Sequence, residues 1–324
     1  MTETTLHDLL PDQALRRLEL RITRKVDGLL HGDYLGLLPG PGSELAEARP
    51  YLPGEDDVRR MEWNVTARTT VPHVRELVAD HELETWALVD TSASMDFGTA
   101  RVEKRDLAVA AVAAVGFLLA RAGNRIGAQM VDGGRLRRIP ARAGRGALLK
   151  LLRELMTLPR TPPGGPPGPG LAQSAEALRR AARRRGLVVV VSDFLDGLDD
   201  HGAPTWERPL RLLAARQQVL AVEVADPREL ELPDVGLLTV VDPETGRRRE
   251  VATASRRLRE RYAQAAQEQR GAIRAALRRA RVTHLELRTD RDWIRDLARH
   301  VLLQRRVARA GVTAAPGAAP GGGR

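Results

Sequence analysis

From Thr85 onward, short apolar runs alternate with long stretches rich in Ala, Leu and Arg whose apolar residues recur at helical spacing. The short runs fit strands and the long stretches fit covering helices. Their regular alternation predicts an α/β fold with a doubly wound, mostly parallel sheet. Residues 86–90 read as the first strand and 104–122 as its crossover helix, apolar nearly all round and therefore central. Residues 126–131 give a second strand, and Gly133 and Gly134 turn the chain back into 135–141 as an antiparallel excursion at a sheet edge. The run from Leu187 to Val191 is wholly apolar and mostly β-branched, as expected of a central parallel strand, and it ends at Ser192 and Asp193. Residues 219–224 and 284–288 read as further strands. Helices are expected at 145–157, with Leu148, Leu149, Leu152 and Leu155 on one face, and at 171–185 and 255–281. Asp290 is placed to cap a last helix carrying Trp293, Ile294, Leu297 and Val301.

The first 80 residues follow a different pattern. Leu15, Leu18, Ile22, Val26 and Leu29 share one helical face, whereas 32–53 is broken by Gly and Pro. The expected organisation is an N-terminal extension over 1–80, the α/β domain over 81–309, and a tail over 310–324 too rich in Ala, Pro and Gly to hold a structure.

Composition narrows the classes of function. The most apolar stretch, 107–120, is short and flanked by Arg105, Asp106 and Arg121, so no membrane span is expected. The first residues lack the pattern of a secretory leader and the chain has no cysteine, which together suit a cytoplasmic protein and exclude disulfides, zinc ribbons and thiol nucleophiles. The net charge of +10 raises nucleic-acid binding as a possibility. Against it, only Lys25, Lys104 and Lys150 are lysines among 52 basic residues, which is the Arg bias of GC-rich coding, and aromatics at 3% are too sparse for a base-stacking platform. The densest cluster, Arg179, Arg180 and Arg183 to Arg185, falls at an expected helix C-terminus, where cations are favoured anyway.

The candidate chemistry lies on the loop after the first strand. Asp90, Ser92 and Ser94 put a carboxylate and two hydroxyls at alternating positions, and Asp193 adds a second carboxylate at the tip of another strand. Oxygen donors of this kind suit Mg²⁺ or Mn²⁺, which keep several waters. An aspartyl-phosphate mechanism would need a second acid at position 92, where Ser92 stands. No nucleophile elbow and no phosphate-binding glycine loop occurs. A metal-dependent hydrolase remains an alternative, with Asp96 as the general base, and an Arg-rich nucleic-acid binder is the third.

Several ordered motifs carry a resemblance. Residues 54–63 (with Gly54, Asp56, Asp57, Arg59 and Trp63), Ala67 and Arg68, 73–76, 82–84, 90–95, 185–194 and 288–293 together resemble the bacterial domain-of-unknown-function family fifty-eight over most of 45–300. The resemblance implies a von Willebrand factor A-like fold, a metal-ion-dependent adhesion site and genomic association with MoxR-type AAA+ ATPases. Carried over, that site is Asp90, Ser92, Ser94 and Asp193, and the protein is an interaction module for such an ATPase or its client rather than an enzyme. In one place the chain departs from the pattern. The family's site includes a Thr just before the helix preceding the Leu187 strand, and counting back from Gly186 puts Pro169 there, without a hydroxyl. Thr161, in the same loop, is the substitute if 162–170 folds back. In the N-terminal motif, Gly54 and Asp56 are read as setting a turn and Trp63 as packing.

Overall fold

The structure is a computed structural model and describes residues 11–30, 48–51, 58, 61, 63–75, 84–120, 124–132, 134–165, 168–197 and 204–313. The chain forms two compact units, Met1–Tyr34 with Leu83–Leu302, and Leu35–Glu82 with Leu303–Arg324. The larger unit begins with α1 (Pro11–Leu30), which buries Ala14, Leu15, Leu18 and Ile22. The side chains of Val26 and Leu29 lie outside the described residues. In the smaller unit, β1 (Ala48–Pro50) pairs antiparallel with β2 (His73–Arg75), and α2 (Trp63–Thr69) lies between them in sequence. Trp63 opens α2 with 68% of its surface exposed, so it does not pack as expected. An indole carries a polar N–H beside its apolar rings and tolerates such exposure. Gly54, Asp56, Asp57 and Arg59 lie outside the described residues.

The remainder of the larger unit runs β3 (Glu84–Val89), α3 (Lys104–Ala120), β4 (Arg125–Asp132), β5 (Arg135–Ala143), α4 (Arg145–Met156), α5 (Leu171–Ala181), β6 (Gly186–Ser192), α6 (Glu207–Ala214) and β7 (Gln218–Ala225). There follow a single-turn α7 (Pro227–Leu230), a hairpin of β8 (Leu237–Val241) and β9 (Arg248–Ala252), then α8 (Arg256–Arg279), β10 (Thr283–Arg288) and α9 (Trp293–Thr313). Six strands form one sheet in the order β10-β7-β6-β3-β4-β5, all parallel except β5. This is the doubly wound α/β architecture. Counted along the chain, the sheet's strands lie in the order three-two-one-four-five-six, so the winding reverses between β3 and β6.

Burial explains the layers. Helix α3 is buried from Leu107 to Val115, as its apolar circumference requires, and packs against α1 and α4. Gly116 permits the close approach to α4, since a Cβ there would collide with Leu148. Helix α4 buries Leu148, Leu151, Leu152 and Leu155, a stripe at i, i+3, i+4 and i+7, so Leu151 takes the place expected of the half-buried Leu149. A second core joins Trp86, Leu88, Val188 and Val190 to α5, α6 and α8. Helix α9 buries Trp293, Ile294, Leu297 and Val301 as expected, and it runs past Ala310 to Thr313. Residues 314–324 lie outside the described residues.

Two local expectations are corrected. Helix α5 stops at Ala181 instead of Arg185, because Gln217 Nε2 donates to the carbonyls of Ala182 (2.9 Å) and Arg184 (2.8 Å) and holds that segment out of the helix. Arg183 to Arg185 therefore sit in the turn before β6. Asp290 does not cap α9. Its carboxylate is taken by the Arg288 guanidinium in two hydrogen bonds of 2.9 Å, an Arg fork being a stronger donor than one backbone N–H.

At the sheet edge, β5 exposes Arg135, Arg137, Arg138 and Arg142. Its pairing with β4 slips between Ile126 and Ala128, next to Pro140.

Candidate metal and interaction site

Where a doubly wound sheet reverses its winding, the loops leaving the carboxyl ends of the two flanking strands part in opposite directions and open a crevice. Asp90 leaves β3 and Asp193 leaves β6 at that point. The Asp90 N–H donates to Val191 O (2.9 Å), extending the β3–β6 ladder to the strand tip. The chain then turns through a 3₁₀ segment, Ala93–Asp96. Ser92 N donates to Asp90 Oδ1 (3.0 Å), and the Ser92 and Ser94 hydroxyls lie 3.1 Å apart. From the other strand, Ser192 Oγ donates to Asp90 Oδ2 (2.5 Å) and accepts from Phe194 N (2.9 Å). The four expected residues are thus brought together, and Ser192 is an addition.

Asp193 is buried, with Lys104 Nζ 2.7 Å from its Oδ2 and Leu195 N 3.1 Å from its Oδ1. Lys104, itself without exposed surface, also donates to Glu229 Oε1 (2.5 Å). Arg270 closes the network behind the site, donating to Glu223 Oε1 (2.8 Å), Asp193 O (2.9 Å) and Glu229 Oε2 (3.1 Å). The two strand-tip acids consequently differ. Burial, and then the neighbouring Asp193 carboxylate, push Asp90 up to about 6, against the hydrogen bonds from Ser192 and Ser92. Burial would also raise Asp193, but the Lys104 ammonium, with hydrogen bonds from Leu195 and Ser94, holds it below the usual carboxylate range.

A third strand-tip acid is committed elsewhere. Asp226, after β7, accepts from Thr99 N (2.8 Å), Thr99 Oγ1 (2.5 Å), Thr289 Oγ1 (2.7 Å) and Arg228 N (2.9 Å). It caps α7 and ties the loop before α3 to the end of β10. Asp96, the base a hydrolase would need, is paired with Arg105 Nη1 (2.9 Å) and accepts from Thr161 N (3.0 Å). Thr161 Oγ1 donates to Thr91 O (3.3 Å), so the Pro/Gly loop does reach the Asp90 loop at this residue. Pro169 stands just before α5 and uses its carbonyl to accept from Ser174 Oγ (3.3 Å).

The β8–β9 hairpin supplies a residue that strand and helix patterns do not reveal. Glu244, exposed at its tip, places Oε1 3.1 Å from Ser94 N. Loss of water around its carboxyl, together with Asp193, Asp196 and Asp242, pushes it above its ordinary range. The sequence from Asp242 to Gly246 is legible as a turn, but nothing in it says where that turn docks.

The donors fit a hard divalent cation. Two carboxylates and two hydroxyls face one crevice, all donors are oxygen, and one buried ammonium balances only one of the two acids. Among the described residues no three Asp, Glu or His side chains form a group that could hold an ion, so hydroxyls and water would complete the shell. Asp90, Ser92, Ser94 and Asp193 are the residues that would hold the ion.

Fold and site together define a doubly wound α/β domain with an oxygen-donor cluster at its topological switch point. The chain belongs to the family described as "Protein of unknown function DUF58", which it matches over residues 47–272. An uncharacterized protein of Mycobacterium tuberculosis is 53% identical over 298 residues, covering 92% of this chain and 91% of that one. Among solved structures, the conserved hypothetical protein BatB from Bacteroides thetaiotaomicron is similar at 13% identity and a TM-score of 0.40, over 69% of this chain and 99% of that one. A von Willebrand factor type A protein from Catenulispora acidiphila is similar at 12% identity and a TM-score of 0.31, over 48% of this chain and 35% of that one. Likenesses of this size bear on neither the site nor its ligand. No helix among the described residues is long and apolar enough to cross a membrane.

Proposed function

We propose that this chain is a protein-interaction module that holds Mg²⁺ or Mn²⁺ at Asp90, Ser92, Ser94 and Asp193 and uses it to grip an acidic side chain of a partner, a MoxR-type AAA+ ATPase or one of its clients. The observation that carries this reading is the convergence of the two strand tips, with Ser192 Oγ 2.5 Å from Asp90 Oδ2 and the Ser92 and Ser94 hydroxyls 3.1 Å apart. A bound divalent cation supplies positive charge and coordination positions that a carboxylate can enter. The protein's own residues do the rest. Ser192 and the Ser92 amide orient Asp90, while Lys104 keeps Asp193 ionised and fixed from behind. Asp96 is held by Arg105 and Thr161, which argues against its serving as a general base and so against hydrolysis. Two of the clustered arginines, Arg179 and Arg180, face Glu176 in ion pairs, which weakens the nucleic-acid reading.

Calorimetry with Mg²⁺ and Mn²⁺ tests the metal, with saturable binding by the wild type and none by Asp90→Ala as the expected result. Equal binding by both removes the site assignment. Pull-down from the native host, with and without EDTA and with Ser92→Ala, tests the partner. Recovery of an ATPase that ignores both treatments moves the contact elsewhere.

A further inference from the structure

Three features meet at the mouth of the switch-point crevice. First, the turn joining β8 to β9 is internally braced: Asp242 accepts from Glu244 N (3.0 Å) and Thr245 Oγ1 (2.5 Å), while Asp242 N donates to Arg247 O (2.8 Å) and Gly246 N to Asp242 O (2.8 Å). Second, this braced tip is seated on the Pro/Gly loop, with Gly164 N donating to Pro243 O (3.1 Å) and the Gly164 α-carbon too near the Thr245 carbonyl to carry a side chain comfortably. Third, the tip carries an acid, Glu244, that lands on the N–H of Ser94, a member of the oxygen cluster.

The Ser94 N–H is the favourable contact of the Glu244 carboxylate, and Asp193, Asp196 and Asp242 oppose its charge. The Lys104 ammonium pairs with Asp193 and Glu229 and, among the described residues, leaves Asp90 without a cationic partner, and another acid adds like charge. The turn that delivers Glu244 is nonetheless braced and docked, and the acid it carries has the same chemistry as the group that the proposed module grips in a partner. We infer that Glu244 is a built-in stand-in for the partner's acidic side chain, covering the cation's approach from within the chain until a partner carboxylate displaces it. This rests on the metal reading above and deepens it: the module is self-capped, and the hairpin tip sets how strong a partner's acid must be to open it. Gripping a partner then requires the β8–β9 tip to lift from Ser94.

The test has a metal-free arm and a metal arm, both on the full chain. Without metal, amide exchange at Ser94, read by NMR or mass spectrometry, is protected in the wild type and faster in Glu244→Ala; equal rates overturn the proposal. With Mn²⁺, the wild type and Glu244→Ala both bind, and the variant shows greater water-proton relaxivity, because water reaches the uncovered ion more freely. Added acetate then lowers the relaxivity of the variant and leaves the wild type nearly unchanged. Mn²⁺ bound by both proteins with equal relaxivity and equal acetate response overturns the self-capping proposal alone. Absence of Mn²⁺ binding in both overturns the metal reading and this proposal together. Glu244→Gln, which keeps an acceptor for Ser94 N but loses the charge, is expected to protect the Ser94 amide and yet respond to acetate.

Discussion

Lys104 Nζ lies 2.7 Å from Asp193 Oδ2, with neither side chain exposed to water. The pair joins the start of the central helix α3 to the tip of β6 and balances half of the charge of the two strand-tip acids. Removing one partner of a buried ion pair leaves the other charge uncompensated. Lys104→Met is therefore expected to lower the unfolding free energy by about 3–5 kcal/mol in urea denaturation. Glu229→Gln is expected to cost less, because Asp193 keeps Lys104 and Glu223 keeps Arg270. A loss in Lys104→Met no larger than that of Glu229→Gln means the pair is not the anchor described here.

Asp90 gives a pH dependence of the opposite sense to ordinary acid denaturation. Its folded-state pKa of about 6 lies above the ordinary aspartate value of 3.8, so the folded protein binds the proton more tightly than the unfolded chain. Its contribution to stability is fully present below about pH 4 and is lost as the pH rises through about 6, by up to about 3 kcal/mol. In EDTA, Asp90→Asn should gain stability relative to the wild type between pH 4 and pH 7.5. Saturating Mg²⁺ at pH 7.5 should narrow the gap, since only the wild type is stabilised by the ion. Chemical denaturation of both proteins at the two pH values, with and without Mg²⁺, reads the difference directly, and a gap independent of pH contradicts the raised pKa.

Phe194 follows Asp193 with φ at +58°, a left-handed backbone that a bulky residue rarely adopts. Its ring is fully buried and meets Trp206 edge-on at 5.2 Å. Phe194→Ala is expected to cost about 3–5 kcal/mol through the cavity left behind. Phe194→Gly should cost about 1 kcal/mol less than that, because Gly adopts the left-handed conformation without penalty. The reverse order in thermal unfolding would show that the turn is not strained.

How far the sequence foretells these features follows from how local each one is. The strands and central helix were legible because period and β-branching act along the chain, and the placement of Asp90, Ser92, Ser94 and Asp193 just after two strands was legible because each group follows an apolar run. Lys104 read only as the first residue of a helix, although one of just three lysines at the head of an apolar helix was a signal available. Asp226 and Glu229 form a capping box recognisable from their spacing and the intervening Pro227, but that Glu229 also meets Lys104 and Arg270 depends on contacts between residues far apart in sequence. Glu244 was hidden for the same reason, and so was the end of α5, which is set by Gln217 from the turn before β7.

Pro169 offers a separate handle on the metal. If the resemblance places a hydroxyl ligand at this position, Pro169→Thr should tighten Mn²⁺ binding, with a stability loss of about 0.4–1 kcal/mol from the freer unfolded chain. Thr161→Ala removes the hydroxyl that donates to Thr91 O and should cost about 1 kcal/mol of stability while leaving the affinity nearly unchanged. Loss of Mn²⁺ binding in Thr161→Ala, with no gain in Pro169→Thr, would make Thr161 the ligand instead.

The arginines along β5 have a consequence for the protein as a solute. An open strand edge offers unpaired N–H and C=O groups to any other strand it meets, and two copies of this sheet could join edge to edge into a continuous ribbon. Pro140 has no N–H to offer, the slip opposite Ile126 and Ala128 bends the strand, and the exposed Arg135 and Arg142 would be brought close to their own copies. The edge thus keeps neighbouring molecules apart by their own like charge, and high salt, which screens that repulsion, is the condition under which concentrated protein should first begin to self-associate.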